Sequence, residues 1–258
     1  MDETSLRNTL SDLPIGGIRY FERTGSTNDE ALAWASSGAP DLSLVLANEQ
    51  TSGRGRMGRK WHTPPGAALA FSLVLSPNSF EREHTSLFSG LGSLALIDTL
   101  QTFGIQARIK WPNDVLIRRH KVAGVLVEAV WLGDEIDNLV LGMGINITPG
   151  ALPPPDKLTF PATCIHAEGA SRPDRLTLLK AFLKAFLVRR AAIASETFLR
   201  DWENALEFRG ETVRVWVGEG QQTQGQVEGL ETDGSLRLRL SNGLIHPVRF
   251  GEVHLRPL

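Results

Sequence analysis

Between residues 106 and 147 four strand-like segments follow one another, at 106–110, 114–118, 121–131 and 136–147, with short polar turns at Arg119-His120 and Gly133-Asp134. Strands joined this briefly pair antiparallel, because a parallel neighbour needs a crossover of a dozen or more residues. This stretch therefore reads as a meander, and it sets the frame for the rest of the chain. Before it, strand patterns at 18–23, 44–48 and 67–75 alternate with helical ones, the first opening at Ser26 and stopping at Gly38, the second an apolar run over 85–103 closed by Gly104. Thr27 and Glu30 have the spacing of a capping box. After it, Pro149, Pro153, Pro154, Pro155 and Pro161 mark a surface connection, and Leu176, Leu179, Leu183, Phe186 and Leu187 mark one face of a helix.

From Gly210 onward the pattern changes to short β segments at 211–217, 224–231, 235–240 and 244–250, punctuated by Gly218, Gly220, Asp233-Gly234 and Asn242-Gly243. This predicts a small β-barrel of roughly 50 residues. The expected fold is α+β: a mixed β-sheet backed by helices over residues 1–208, followed by a barrel domain over 209–258. With 258 residues, 41% of them hydrophobic, the chain can build its core without metal or disulfide support.

Charge and cysteine use narrow the function. Lysine and arginine number 27 against 29 acidic residues, so no global field attracts nucleic acid or an anionic membrane, and any anion site is local. Cys164 is the single cysteine, which fits a reducing compartment and reads as a small buried hydrophobe. The N-terminal stretch has no signal-peptide pattern and no run approaches a membrane span, so a cytoplasmic location is expected.

The segment 50–66 carries four glycines, Gly53, Gly55, Gly58 and Gly66, and four cations, Arg54, Arg56, Arg59 and Lys60, ahead of Trp61. Glycine permits close backbone approach and the cations attract carboxylate or phosphate. Arg59-Lys60-Trp61 follows Gly58 where a phosphate-binding loop of the Walker type needs Lys-Ser/Thr, so that motif is rejected. A solvated basic loop, or a nonspecific nucleic-acid contact, competes evenly with a small-anion site on this segment alone. Lys110-Trp111-Pro112-Asn113-Asp114 and Lys121-Val122-Ala123-Gly124 place two lysines, an amide and a carboxylate near a strand edge. Gly142-Met143-Gly144-Ile145-Asn146 lacks the last glycine of a dinucleotide fingerprint, and a Rossmann cofactor site is unsupported.

Taken together and in this order, Ser26-Thr27-Asn28, Gln50 with the GRGRMGRKW loop, KWPND, KVAG and GMGIN resemble biotin protein ligase, closely over residues 18–148. The resemblance implies a class II synthetase-like core and an SH3-like C-terminal barrel. It implies a two-step reaction: the carboxylate of biotin attacks the α-phosphate of ATP to give biotinyl-5′-AMP, and a lysine of a biotin carboxyl carrier domain then takes the biotinyl group. Carried over residue by residue, the biotin site is Ser26, Thr27, Asn28, Gln50, Arg54, Gly55, Arg56, Lys121 and Gly124. The nucleotide side is Arg56, Trp61, Lys110, Asn113, Asp114 and Asn146, with Lys121 and Arg56 catalytic and Asp114 a candidate ligand for Mg²⁺. Glycines and mutually repelling cations predict a loop that orders over its anionic ligands. Family members that also act as repressors carry a helix-turn-helix domain ahead of the core. The short lead before Ser26 leaves no room for one, so no nucleic-acid partner is expected and the chain reads as a monomer or weak homodimer. A lipoate-type acyl-adenylate ligase and a catalytically silent biotin-binding module are the alternatives. A hydrolase is disfavoured because no Gly-x-Ser-x-Gly elbow occurs and the six histidines are scattered.

Overall fold

The computed structural model describes residues 1–154, 156, 158, 160–169, 171–217, 221–249 and 253–257. Pro155, Gly218, Gly220 and Phe250, placed by sequence in a connection, a turn and a strand, lie outside the described residues. Strands β1 (Gly17–Thr24), β2 (Ser43–Gln50), β3 (Ala68–Leu75), β4 (Arg108–Lys110), β5 (Asp114–Ile117), β6 (His120–Leu132) and β7 (Glu135–Asn146) form one sheet in the order β1-β2-β3-β7-β6-β5-β4. In this sheet only β1 and β2 are parallel, and they are the pair separated by a helix, α2 (Thr27–Ser36). Every other neighbour is antiparallel, and from β4 to β7 the short turns of the meander require it.

β3 is buried at every position because helices cover both of its faces. On one side Leu69, Phe71, Leu73 and Leu75 join the main core with α4 (Phe88–Thr102) and α6 (Arg175–Ala191); on the other, Val74 packs with Val45, Val140, Ala31 and Ala35 beneath α2. A strand buried twice reads as one continuous apolar run. Ser72 interrupts that run on the α2 side.

Three helical details differ from expectation. The capping box at Thr27 and Glu30 does not form: Ser26 occupies the N-cap position without a side-chain cap bond, and Glu30 instead accepts from the Thr24 hydroxyl at 2.7 Å. The inward face of α6 is carried by Leu178, Leu179, Phe182, Leu183 and Phe186, with Leu176 and Leu187 only partly buried at its margin. Helices α1 (Glu3–Thr9) and α7 (Glu196–Ala205) are additions to the sequence reading. α1 has a capping box between Asp2 and Ser5 and buries Leu6; α7 is capped by Ser195, whose Oγ accepts from the Phe198 N–H, and buries Phe198 and Trp202.

Short helices α3 (Ser79–Glu83) and α5 (Ile165–Glu168) complete the helical set, and β8 (Thr212–Val217), β9 (Gln221–Leu230), β10 (Leu236–Arg239), β11 (Ile245–Val248) and β12 (Val253–Pro257) form a second, antiparallel sheet. Its order is β11-β10-β9-β8-β12, an open series among the described pairings rather than a closed ring. Gly234 and Gly243 supply the turns at φ +80° and +83°, conformations that a side chain disfavours. This sheet is seated on the core. Trp111 Nε1 donates to the Gly234 carbonyl at 3.0 Å, Ser86 Oγ to the Asp233 carbonyl at 2.8 Å, and Glu203 of α7 accepts from the Leu230 N–H at 2.9 Å. Among the described residues, no helix is long and apolar enough to cross a membrane.

Candidate active site

Strand alternation builds the floor of a cleft of about 550 Å³. Side chains two apart share a face. On β7 this places Gly142, Gly144 and Asn146 together, while Met143 and Ile145 face the core; on β6 it places Gly124, Leu126 and Glu128 together. The two β7 glycines are there for space. A Cβ on Gly142 would stand 1.9 Å from Asn28 Oδ1, and one on Gly144 would stand 2.3 Å from the Trp61 ring. GMGIN is thus a floor kept low for two side chains that lie across it.

The segment 50–63 forms the roof. The sequence predicts a loop without a conformation of its own, yet a short ladder pins it into a hairpin, through bridges between Gln50 and Thr63 and between Arg54 and Lys60. The Trp61 N–H donates to Gly53 O at 2.8 Å and Gly55 N–H to Arg59 O at 2.7 Å. Gly53 is required by this closeness, since a Cβ there would meet Trp61 O at 2.5 Å.

At one end of the cleft the polar groups are mostly neutral and linked. Gln50 Oε1 accepts from the Thr27 N–H at 2.8 Å and from its hydroxyl at 3.1 Å, while Gln50 Nε2 donates to Thr63 Oγ1 at 2.9 Å. Ser72 Oγ donates to Asn28 Oδ1 at 2.6 Å and lies 2.9 Å from Thr27 Oγ1. Asn28 Nδ2 donates to Glu128 Oε2 at 2.7 Å. Ser26, Thr27 and Asn28 are all buried, so this helix start is a fixed surface rather than a frayed end.

The other end is charged. Asp114 Oδ1 lies 2.5 Å from Lys121 Nζ and Oδ2 lies 3.2 Å from Lys110 Nζ. Burial opposes ionisation of Asp114, but the two ammonium groups outweigh it and hold the carboxyl well below the usual carboxylate range. Lys121 Nζ also stands 5.4 Å from the Trp61 ring centroid and Lys110 Nζ 4.6 Å from that of Phe160. Arg56 Nη1 donates to Asn113 Oδ1 at 3.4 Å, and Asn113 is itself fixed through Nδ2 to the Val125 carbonyl at 2.8 Å. Burial lowers the pKa of Arg56, Asp114 opposing and Arg59 adding to the effect, but a guanidinium remains charged at neutral pH. Asn146 Nδ2 donates to the Thr163 carbonyl at 3.0 Å.

Asp114 is the candidate ligand for Mg²⁺ expected from sequence, and what the structure places around it is cationic. Each of its oxygens already carries an ammonium group, and among the described residues no group of three or more His, Cys, Asp or Glu side chains is arranged to hold a metal. The donor set is that of a lysine clamp, not of a resident metal site.

The sequence matches the biotin/lipoate A/B protein ligase family over residues 20–146 and the biotin protein ligase C-terminal domain over 208–256. A biotin–acetyl-CoA-carboxylase ligase of Paracoccus denitrificans is 35% identical over 84% of this chain and 92% of its own. The chain belongs to this family. The ligase of the same name from Mycobacterium tuberculosis is 30% identical and aligns over 99% of this chain and 96% of its own length. The biotin protein ligase of Aquifex aeolicus, solved in complex with biotin and ATP, superposes with a TM-score of 0.78 at 28% identity, covering 94% of this chain and 99% of that one.

All of the site residues expected from sequence, from Ser26 to Asn146 and including Gly55 and Gly124, line this one cleft of the ligase fold. The Arg54 guanidinium makes a bidentate pair with Glu128, at 2.8 and 2.7 Å, and reaches Asp29 at 2.8 Å. Ser72 and Glu128 are the residues that sequence reasoning missed. Their signal is a lone polar side chain within an apolar strand, which requires a partner when buried.

Proposed function

We propose that the chain is an ATP-dependent biotin protein ligase that makes biotinyl-5′-AMP and transfers biotin to a lysine of a biotin carboxyl carrier domain. The observation that carries this reading is the division of one cleft into a neutral, hydrogen-bonding end and an end with Lys110, Lys121 and Arg56 around a single carboxylate. The ureido ring of biotin suits the first and its carboxylate, beside the nucleotide phosphates, suits the second.

Adenylation brings two anions together. At 4 Å, with an effective dielectric near 20, their repulsion is about 4 kcal/mol. Fixed cations offset it. The Lys121 ammonium has three hydrogens and gives one to Asp114, leaving others for the biotin carboxylate and the α-phosphate it attacks. Asp114 holds the two ammonium groups at a set spacing, so the site needs no reorganisation as charge moves. A carboxylate oxygen bonds to the α-phosphorus as the bond to pyrophosphate breaks. In the second step the carrier amine attacks the mixed anhydride, an amide forms, AMP leaves and the amine loses a proton. The triphosphate would bring Mg²⁺ with it, and no step is assigned to a metal held by Asp114.

We further take residues 1–208 as the adenylating unit and 209–258 as the small β domain, acting in the cytoplasm as a monomer or weak homodimer on carboxylase carrier domains, without a nucleic-acid partner. Incubation with ATP, Mg²⁺, biotin and a carrier domain, followed by weighing of the carrier, tests the reading. The expected result is one biotinyl addition. A lipoyl addition when lipoate is supplied, with none from biotin, would replace the substrate, and ligand binding without pyrophosphate release would mark a silent module.

A further inference from the structure

Glu128 joins three separate parts of the site. Its Oε2 accepts from Asn28 at the start of α2 and from Arg54 Nη2, each at 2.7 Å, while Oε1 accepts from Arg54 Nη1 at 2.8 Å. It thereby ties the helix start and the glycine-rich hairpin to the central strand β6. The row Gly124, Leu126, Glu128 shares one face of that strand, and the first two of these line the cleft. Nothing in the adenylation chemistry requires a carboxylate at this point, yet the pairing is in the fork-to-fork geometry that fixes orientation best.

We propose that Glu128 is a positioning residue: through Arg54 it latches the hairpin over the cleft and retains the acyl-adenylate there until the carrier arrives. Solvent reach suits a latch that opens. The side chains of Arg54 and Glu128 keep 36% and 26% of their exposure, so water can replace the pair at modest cost, whereas a fully buried pair would act as a permanent rivet. The same carboxylate orients Asn28, whose Oδ1 is held by Ser72, so opening the hairpin and loosening the neutral end of the cleft are one event.

This inference rests on the ligase reading, and the test separates the two. Enzyme is loaded with labelled biotin and ATP, freed of excess ligand by rapid gel filtration, and the release of labelled acyl-adenylate is timed for the parent, Arg54→Met, Glu128→Gln and the double variant. Loss of a charge-assisted bidentate contact accelerates release on the order of 10-fold in each single variant. The double variant then releases no faster than the faster of the two single variants, because both substitutions remove the same interaction. Arg54→Lys, which restores a point charge without the fork, falls between parent and Arg54→Met. Melting temperatures are followed alongside, and Arg54→Met alone carries the test if Glu128→Gln does not fold. Unchanged release in the folded variants, or multiplicative effects in the double variant, overturns the latch. A parent enzyme that retains no label overturns the ligase reading itself.

Discussion

At the residue scale the decisive feature is one aspartate shared by two lysines. Lys110 is 6% exposed and Asp114 likewise 6%, so removing the carboxylate takes its charged partner from a buried ammonium group. Asp114→Asn is expected to lower stability at neutral pH by about 3 kcal/mol, read from urea denaturation. The pH dependence has a definite sign. The folded-state pKa of Asp114 is depressed, so its contribution is present above the unfolded carboxyl value and is lost as pH falls through the lower folded one. The stability gap between parent and Asp114→Asn should therefore be full at neutral pH and shrink below about pH 4; a gap that does not change in acid would contradict the clamp. Sequence showed these charges but not their pairing. Lysines at 110 and 121 announce an anion site, while the sharing of Asp114 between them depends on a strand pairing that sets Asp114 opposite Gly124.

At the element scale the glycines of β7 couple floor to roof. Gly144→Ala places a methyl group inside the Trp61 ring, so the indole must lift and the hairpin with it, at about 1–3 kcal/mol. Limited proteolysis within 53–61 should be faster in Gly144→Ala than in the parent, and adding biotin with ATP should slow it in both. Equal nicking of the two proteins would show that the hairpin does not rest on that strand. Element types were largely readable, because periodicity reports how many faces are buried: the meander and the β9–β10 and β10–β11 hairpins of the C-terminal sheet follow from turn residues and alternation. The exceptions have physical causes. Thr27 and Glu30 have capping spacing, but tertiary partners, Gln50 and Thr24, took their side chains. In α6 the packed face includes Leu178 and Phe182, which a stripe drawn from Leu176 passes by. Ser72 and Glu128 stand out in the linear string only as lone polar residues in apolar runs, and their partners appear when β3, α2 and the hairpin converge.

At the scale of the whole molecule, the strand turn that carries Lys110 and Asp114 and the C-terminal sheet are bonded to each other. Trp111, within KWPND, hydrogen-bonds Gly234, and that glycine stands so close to Trp202 that a Cβ would lie 2.7 Å from its ring. Trp111→Phe keeps most of the packing and removes this bond, with an expected loss of about 1 kcal/mol in a single cooperative transition. A seam of this kind was invisible in sequence, since it joins residues 111 and 234 across the chain. On the proposed reading, Lys121 and its companions bring two anions into bonding distance. Biotin-dependent exchange of labelled pyrophosphate into ATP measures that step alone, without the carrier. Lys121→Ala should lower the exchange rate on the order of 10² to 10³, as loss of one preorganised donor does. Exchange by that variant at the parental rate would show that the charged end of the cleft is not where adenylation takes place.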